Sequence, residues 1–139
     1  MAQTVADVMT RNPASIERGE PAAEAARLMA RGDLGEVIVL DNGTVAGVVT
    51  DRDIAVRLVA EEKDPRTPVA EIISDQDLVT VPPDMPLDQA VGLMRQHSVR
   101  RLPVLQQGRA VGMLSLGDLA IERDEQSALA DISAAEGNT

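Results

Sequence analysis

The heptapeptide Gly47-Val48-Val49-Thr50-Asp51-Arg52-Asp53 returns further along the chain as Gly112-Met113-Leu114-Ser115-Leu116-Gly117-Asp118, so whatever the first copy folds into must be built twice. Each copy closes an apolar run, Val45 to Val49 or Ala110 to Leu114, with a hydroxyl residue, two spacers and a carboxylate, and then turns apolar again. This pattern reads as strand, turn and helix. Hydroxyl and carboxylate would then meet at a helix N-terminus, where free N–H groups and the positive end of the dipole favour an anion or a sugar phosphate. Thr or Ser followed three residues later by an acid is equally a capping box, which needs no ligand to account for it.

The rest of the chain repeats around this pair. Thr4 to Thr10 predicts a short amphipathic turn of helix ended by Asn12-Pro13, and Val69 to Ser74 predicts its counterpart. Ala14-Ser15-Ile16 and Val79-Thr80-Val81 read as brief strands. Pro21 and Pro86 suit the first turn of helices with Ala22, Ala25, Ala26 and Met29, or Leu87, Ala90, Val91 and Met94, on one buried face. Val37 to Leu40 and Leu102 to Leu105 are strand-length apolar runs. Each is followed by a polar turn, Asp41-Asn42-Gly43 or Gln106-Gln107-Gly108, which predicts a hairpin into the motif strand. Second helices are expected over Arg52 to about Glu62 and Leu116 to about Arg123.

These elements give an α+β fold of two tandem βαββα repeats. Neither unit can bury both faces of its sheet alone, so the repeats are expected to pack through their sheets about a pseudo-twofold axis. The expected boundaries are 4–62 for the first repeat, 63–68 for a proline-marked linker, 69–123 for the second repeat and 124–139 for a tail. In that tail Ser127 to Ile132 could form a helical turn and Ala134 to Thr139 is expected to be loose.

Composition narrows the function. Without Phe, Tyr or Trp there is no aromatic platform for single-stranded nucleic acid, and a net charge of −10 opposes nucleic-acid backbones and anionic membrane surfaces. Zero Cys removes disulfides, thiolate chemistry and Cys-ligated zinc, and suits a reducing cytoplasm. The N-terminal residues lack the pattern of a secretion signal, and no run reaches the length of a membrane span, so a soluble cytoplasmic protein is expected. An enzyme is disfavoured. His97 is the only histidine and has no evident triad partners, and neither a P-loop nor a Gly-x-Gly-x-x-Gly fingerprint is present. No catalytic residue and no metal ligand is assigned. His97 reads as a helix C-terminal residue favoured by the dipole.

The doubled Gly-h-h-Ser/Thr-x-x-Asp (h, apolar), with Arg100-Arg101-Leu102-Pro103-Val104 and the opening Asp7-Val8-Met9-Thr10, resembles a stand-alone pair of CBS domains, a Bateman module, from Val5 to Glu122. It is similar to short bacterial proteins made of little besides the two repeats. The resemblance implies a cytosolic regulatory module, with an unknown downstream protein target, that binds an adenosine-containing ligand such as AMP, ADP or ATP in the cleft between repeats. It also implies a homodimer, and no catalytic cofactor. Asp53 and Asp118 would hold ribose hydroxyls, Thr50 and Ser115 would assist at the ribose or first phosphate, and Ser15, Ile16, Thr80, Val81, Val37, Ile38, Leu102 and Pro103 would form the adenine slot through apolar contact and backbone groups. A single carboxylate can accept from both vicinal hydroxyls of a ribose. The alternative reading is a ligand-free interaction module acting through its dimer surface, with Val8, Ile54, Val56, Ile72 and Ile121 on the apolar helix faces.

The repeats differ in charge. Arg95, His97, Arg100 and Arg101 of the second repeat correspond to Ala30, Gly32, Gly35 and Glu36 of the first, so unequal sites are expected. Arg100 and Arg101 adjoin in a presumed strand, so only one of them need face a ligand.

Overall fold

The computed structural model describes residues 3–73 and 78–123, with the side chains of 121–123 left aside. Two compact units emerge, and their boundaries are not those of the sequence repeats. One unit spans residues 14–78; the other joins the N-terminal segment, up to Pro13, to the chain from Val79 onward.

In the first of these units β2 (Ser15–Glu17) runs parallel to β3 (Glu36–Asp41), and β3 pairs antiparallel with β4 (Thr44–Thr50), giving the order β2-β3-β4. The crossover is α2 (Ala22–Gly32), whose N-cap is Pro21 and whose end is marked by Asp33 in the left-handed region. Proline is thus just outside the helix, one position earlier than its usual first-turn place. The β3–β4 hairpin turns on Asn42 and Gly43, both at positive φ, as a tight two-residue loop between right-twisted strands requires. Glu17 fastens that turn by accepting the N–H groups of Asn42 and Gly43 at 3.0 and 3.2 Å.

The other unit contains α4 (Leu87–His97), β5 (Arg101–Gln106), β6 (Arg109–Ser115) and α5 (Leu116–Arg123). Its hairpin turns on Gln107 and Gly108, again both at positive φ, and both hairpins carry a register shift at the same place, between Val39 and Leu40 and between Val104 and Leu105. The third strand of its sheet is β1 (Thr10–Arg11), antiparallel to β6, in the order β1-β6-β5. Thr10 therefore belongs to a strand and not to the helical turn expected there. That turn is α1 (Val5–Val8), capped by Thr4 and Asp7.

The strand expected at Val79-Thr80-Val81 is reduced to a bridge between Val81 and Val104. Proline explains the loss. In the first sheet the Ile38 N–H donates to Ala14 O at 2.9 Å, whereas the matching residue, Pro103, has no N–H to offer Val79.

The segments that lead each repeat have changed places. Val5 and Ala6 donate their N–H groups to Met85 O and Pro83 O, while Val69 and Ala70 donate theirs to Glu20 O and Arg18 O. The leading segment of the first repeat is thus built onto the second repeat, and that of the second onto the first. Val5 and Met9 enter one core with Val81, Leu87, Ala90, Met94, Leu102, Val104, Leu114 and Leu119, whereas Val69 and Ile72 join the other with Ile16, Ala22, Ala25, Met29, Val37, Val39, Val49 and Leu58. Each core is apolar and aliphatic, and no buried polar side chain lacks a partner among the described residues.

The glycine that opens each motif makes room for these segments. A Cβ on Gly112 would strike Met9 Sδ and lie 3.0 Å from Thr10 O; one on Gly47 would lie 3.1 Å from Ile73 Cδ1. Neither glycine has a positive φ, so close approach and not backbone freedom is what requires it.

The helix expected from Arg52 to about Glu62 is a helical run of two kinds, α3 (Asp51–Asp53) followed by π-helical turns over Ile54–Val59. The tail expectations for Ser127 to Ile132 and Ala134 to Thr139 lie outside the described residues.

Candidate functional site

Both motifs sit where a strand meets a helix. Thr50 ends β4 and caps α3: the Asp53 N–H donates to Thr50 Oγ1 at 3.1 Å, and Asp53 Oδ2 accepts the Thr50 N–H at 2.9 Å. Ser115 and Asp118 reproduce this box at 3.1 and 3.0 Å. The capping role is therefore real in both copies, and it consumes one carboxylate oxygen in each. Backbone carbonyls hold the turns equally, since Asp51 N–H donates to Gly35 O and Leu116 N–H to Arg100 O, both at 3.0 Å.

The copies diverge at the second oxygen. Asp118 Oδ1 accepts the Thr10 hydroxyl at 3.2 Å, brought there by the exchange of the leading segments. Asp53 Oδ1 instead faces Arg57 Nε at 3.4 Å, one helical turn onward. Nothing in the linear spacing of Thr10 and Asp118 signals their meeting; the antiparallel pairing of Thr10 with Met113 brings it about.

Strand alternation sorts the remaining candidates. Ile16, Val37, Val81 and Leu102 point into the two cores, so any part they take in an adenine slot would fall to their backbone groups. Ser15, Ile38, Glu36 and Thr50 fall on the opposite face of their sheet, because Ser15 is in register with Ile38 and Glu36 with Thr50. Arg101, Pro103, Ser115 and Thr10 share the corresponding face of the other sheet. Thr80 is half-buried and lies outside the ladder. Arg100 precedes β5 and is exposed, so Arg101 is the member of the pair that shares the Ser115 face. At the matching register position the first repeat presents Glu36.

Arg95 and His97 close α4 in its last turn, where cations are favoured by the dipole. The described residues hold no group of three or more His, Cys, Asp or Glu placed for a metal, and no helix long and apolar enough to cross a membrane. Of the apolar helix residues, Ile72 is fully buried and so cannot serve an outer surface, which corrects its assignment. Val8 and Ile54 are half-buried, and Ile121 lies outside the described side chains. Val56, Val59 and Leu116 are 45, 66 and 57% exposed.

Two repeats, the first a full βαββα unit and the second with its leading strand reduced to a bridge, each carry a Ser/Thr-x-x-Asp box at the last strand-to-helix turn and together define a tandem-repeat α+β module. Comparison with known proteins places it: the CBS domain family matches residues 5–60 and 69–124, and the chain belongs to that family. It is 41% identical over 134 residues to the CBS domain-containing protein YhcV of Bacillus subtilis, covering 94% of this chain and 95% of that one. A protein with CBS domains from Burkholderia ambifaria is 32% identical, with a TM-score of 0.78 over 90% of this chain and 97% of that one. The CBS domain pair of protein MJ0100 shares the fold, with a TM-score of 0.79 at 22% identity over 91% of this chain and all of that one.

Proposed function

We propose that this CBS pair is a regulatory module, not an enzyme, that binds an adenosine-containing ligand through the Asp118 and Asp53 carboxylates. The observation that carries this reading is the economy of the cap: in both repeats it uses Oδ2 alone, and Oδ1 remains on the side shared with Thr10 or Arg57. A ribose diol can be accepted there by a charge-assisted pair of hydrogen bonds while the helix stays capped. The structure of the MJ0100 pair is a complex with 5′-methylthioadenosine and S-adenosyl-L-methionine, which supports an adenosine ligand for this fold. Calorimetric titration of adenosine, AMP, ATP and S-adenosylmethionine tests the reading. At least one is expected to bind, and Asp118→Asn together with Asp53→Asn should abolish that binding. Retention of binding in the double variant rejects it.

Arg101 should help with phosphate at the Asp118 site, since it shares the Ser115 face. Arg101→Ala is expected to weaken ATP more than AMP and AMP more than adenosine, with the difference shrinking at high salt. Equal losses for all three would make Arg101 ordinary surface charge.

The exposure of Val56, Val59 and Leu116 favours a second reading, in which a homodimer surface does the work without ligand. Light scattering should give twice the monomer mass of 14.7 kDa. A mass that stays monomeric over a wide concentration range removes this reading.

A further inference from the structure

At the position where the second repeat places Arg101 opposite the Ser115 cap, the first repeat places Glu36 opposite Thr50. By strand composition alone, the first-repeat motif has an acid, Glu36, at the register position where the second repeat has the base Arg101. The helix that follows alters this. Arg57 lies one turn beyond Asp53 and pairs with its outward oxygen at 3.4 Å, in the acid-then-base order favoured at this spacing. The matching residue of the second repeat is Glu122, so this guanidinium is particular to the first.

We propose that Arg57 is the specificity-determining cation of the Asp53 site, favouring phosphorylated ligands there by offsetting the Asp53 charge. The assignment rests on the adenosine-ligand reading above and deepens it. The Asp53 side chain is only 13% exposed, so its charge is poorly screened and an adjacent cation matters; that of Arg57 is 47% exposed and is free to swing. Its Nε touches Asp53, so the terminal nitrogens of the same fork stay available to a phosphate oxygen. The Asp118 site differs in kind. There the outward oxygen meets the neutral Thr10 hydroxyl, and the positive charge comes from the strand residue Arg101.

The test uses Asp118→Asn, which leaves the first-repeat carboxylate as the intact one, and adds Arg57→Met or Arg57→Lys. Titration with adenosine, AMP and ATP is expected to show ATP weakened about tenfold by Arg57→Met, adenosine changed less than about twofold, and ATP largely restored by Arg57→Lys. A purely structural brace would lower the melting temperature and weaken the three ligands alike; that result, or an unchanged ATP affinity, overturns the assignment and leaves the adenosine reading standing. Failure of the wild-type protein to bind any of the three removes the reading and the assignment together.

Discussion

Asp118 and Asp53 serve two demands with two oxygens, and substitutions can separate them. Alanine removes both the cap and the ligand acceptor, whereas asparagine keeps a carbonyl oxygen for the Ser115 or Thr50 N–H and removes the charge. Asp118→Ala should cost stability by about 1 kcal/mol, as the loss of a capping interaction does, while Asp118→Asn should cost less. Both should weaken ligand binding. Thermal unfolding set beside calorimetry distinguishes the two roles, and an Asn variant with unchanged affinity would leave the motif a cap alone. The motif glycines belong to the same scale. Gly112→Ala meets the carbonyl of Thr10, a backbone atom that cannot swing away, and should destabilise by about 1–3 kcal/mol. Gly47→Ala meets only the end of Ile73 and should cost less, a ranking that urea melts of the two variants can check.

Among the elements, the instructive contrast is between the two parallel strand pairs. Ile38 and Pro103 occupy the same place in matching strands, so a proline at 38 would remove one donor together with part of a fully buried side chain. Ile38→Pro is expected to release Ala14 O, shorten the β2–β3 pairing toward the single bridge seen at Val81, and cost about 1–3 kcal/mol through the orphaned carbonyl and altered packing. Loss of amide protection confined to Ser15–Glu17 would be its signature by hydrogen exchange; uniform protection across that strand would refute the account. The hairpins needed no such correction. Their turn residues carry positive φ in the structure at the positions where the polar Asn-Gly and Gln-Gly pairs stand in the chain.

For the whole molecule, the exchange of leading segments makes a prediction that a bead-like arrangement of two repeats would not. A chain beginning at Ala14 lacks β1, which pairs with β6 in the second repeat's sheet, and α1 with the buried side chains of Val5 and Met9, which enter that repeat's core. Its damage should therefore appear in residues 79–123, far along the chain from the cut, while residues 14–73 keep their protection. Hydrogen exchange on the truncated protein checks this, and loss of protection in 14–73 with 79–123 intact would contradict the packing described here.

The duplicated motif, the helical spacing of Ala22, Ala25 and Met29, and the Gly-bearing turns were enough to place the helices, hairpins and capping boxes, because each depends on hydrogen bonds and apolar faces within a few residues. Charge asymmetry between the repeats was equally legible in Arg101 and Glu36. Tertiary structure decided what local rules cannot. It put Ile16, Val37, Val81 and Leu102 into the cores, exchanged the segments ending in Met9 and Ile73, and joined Thr10 to Asp118. Periodicity states which residues share a face, but which neighbour covers that face depends on competition among all apolar segments for burial; a short leading segment, with two buried side chains, goes where a glycine leaves room for it.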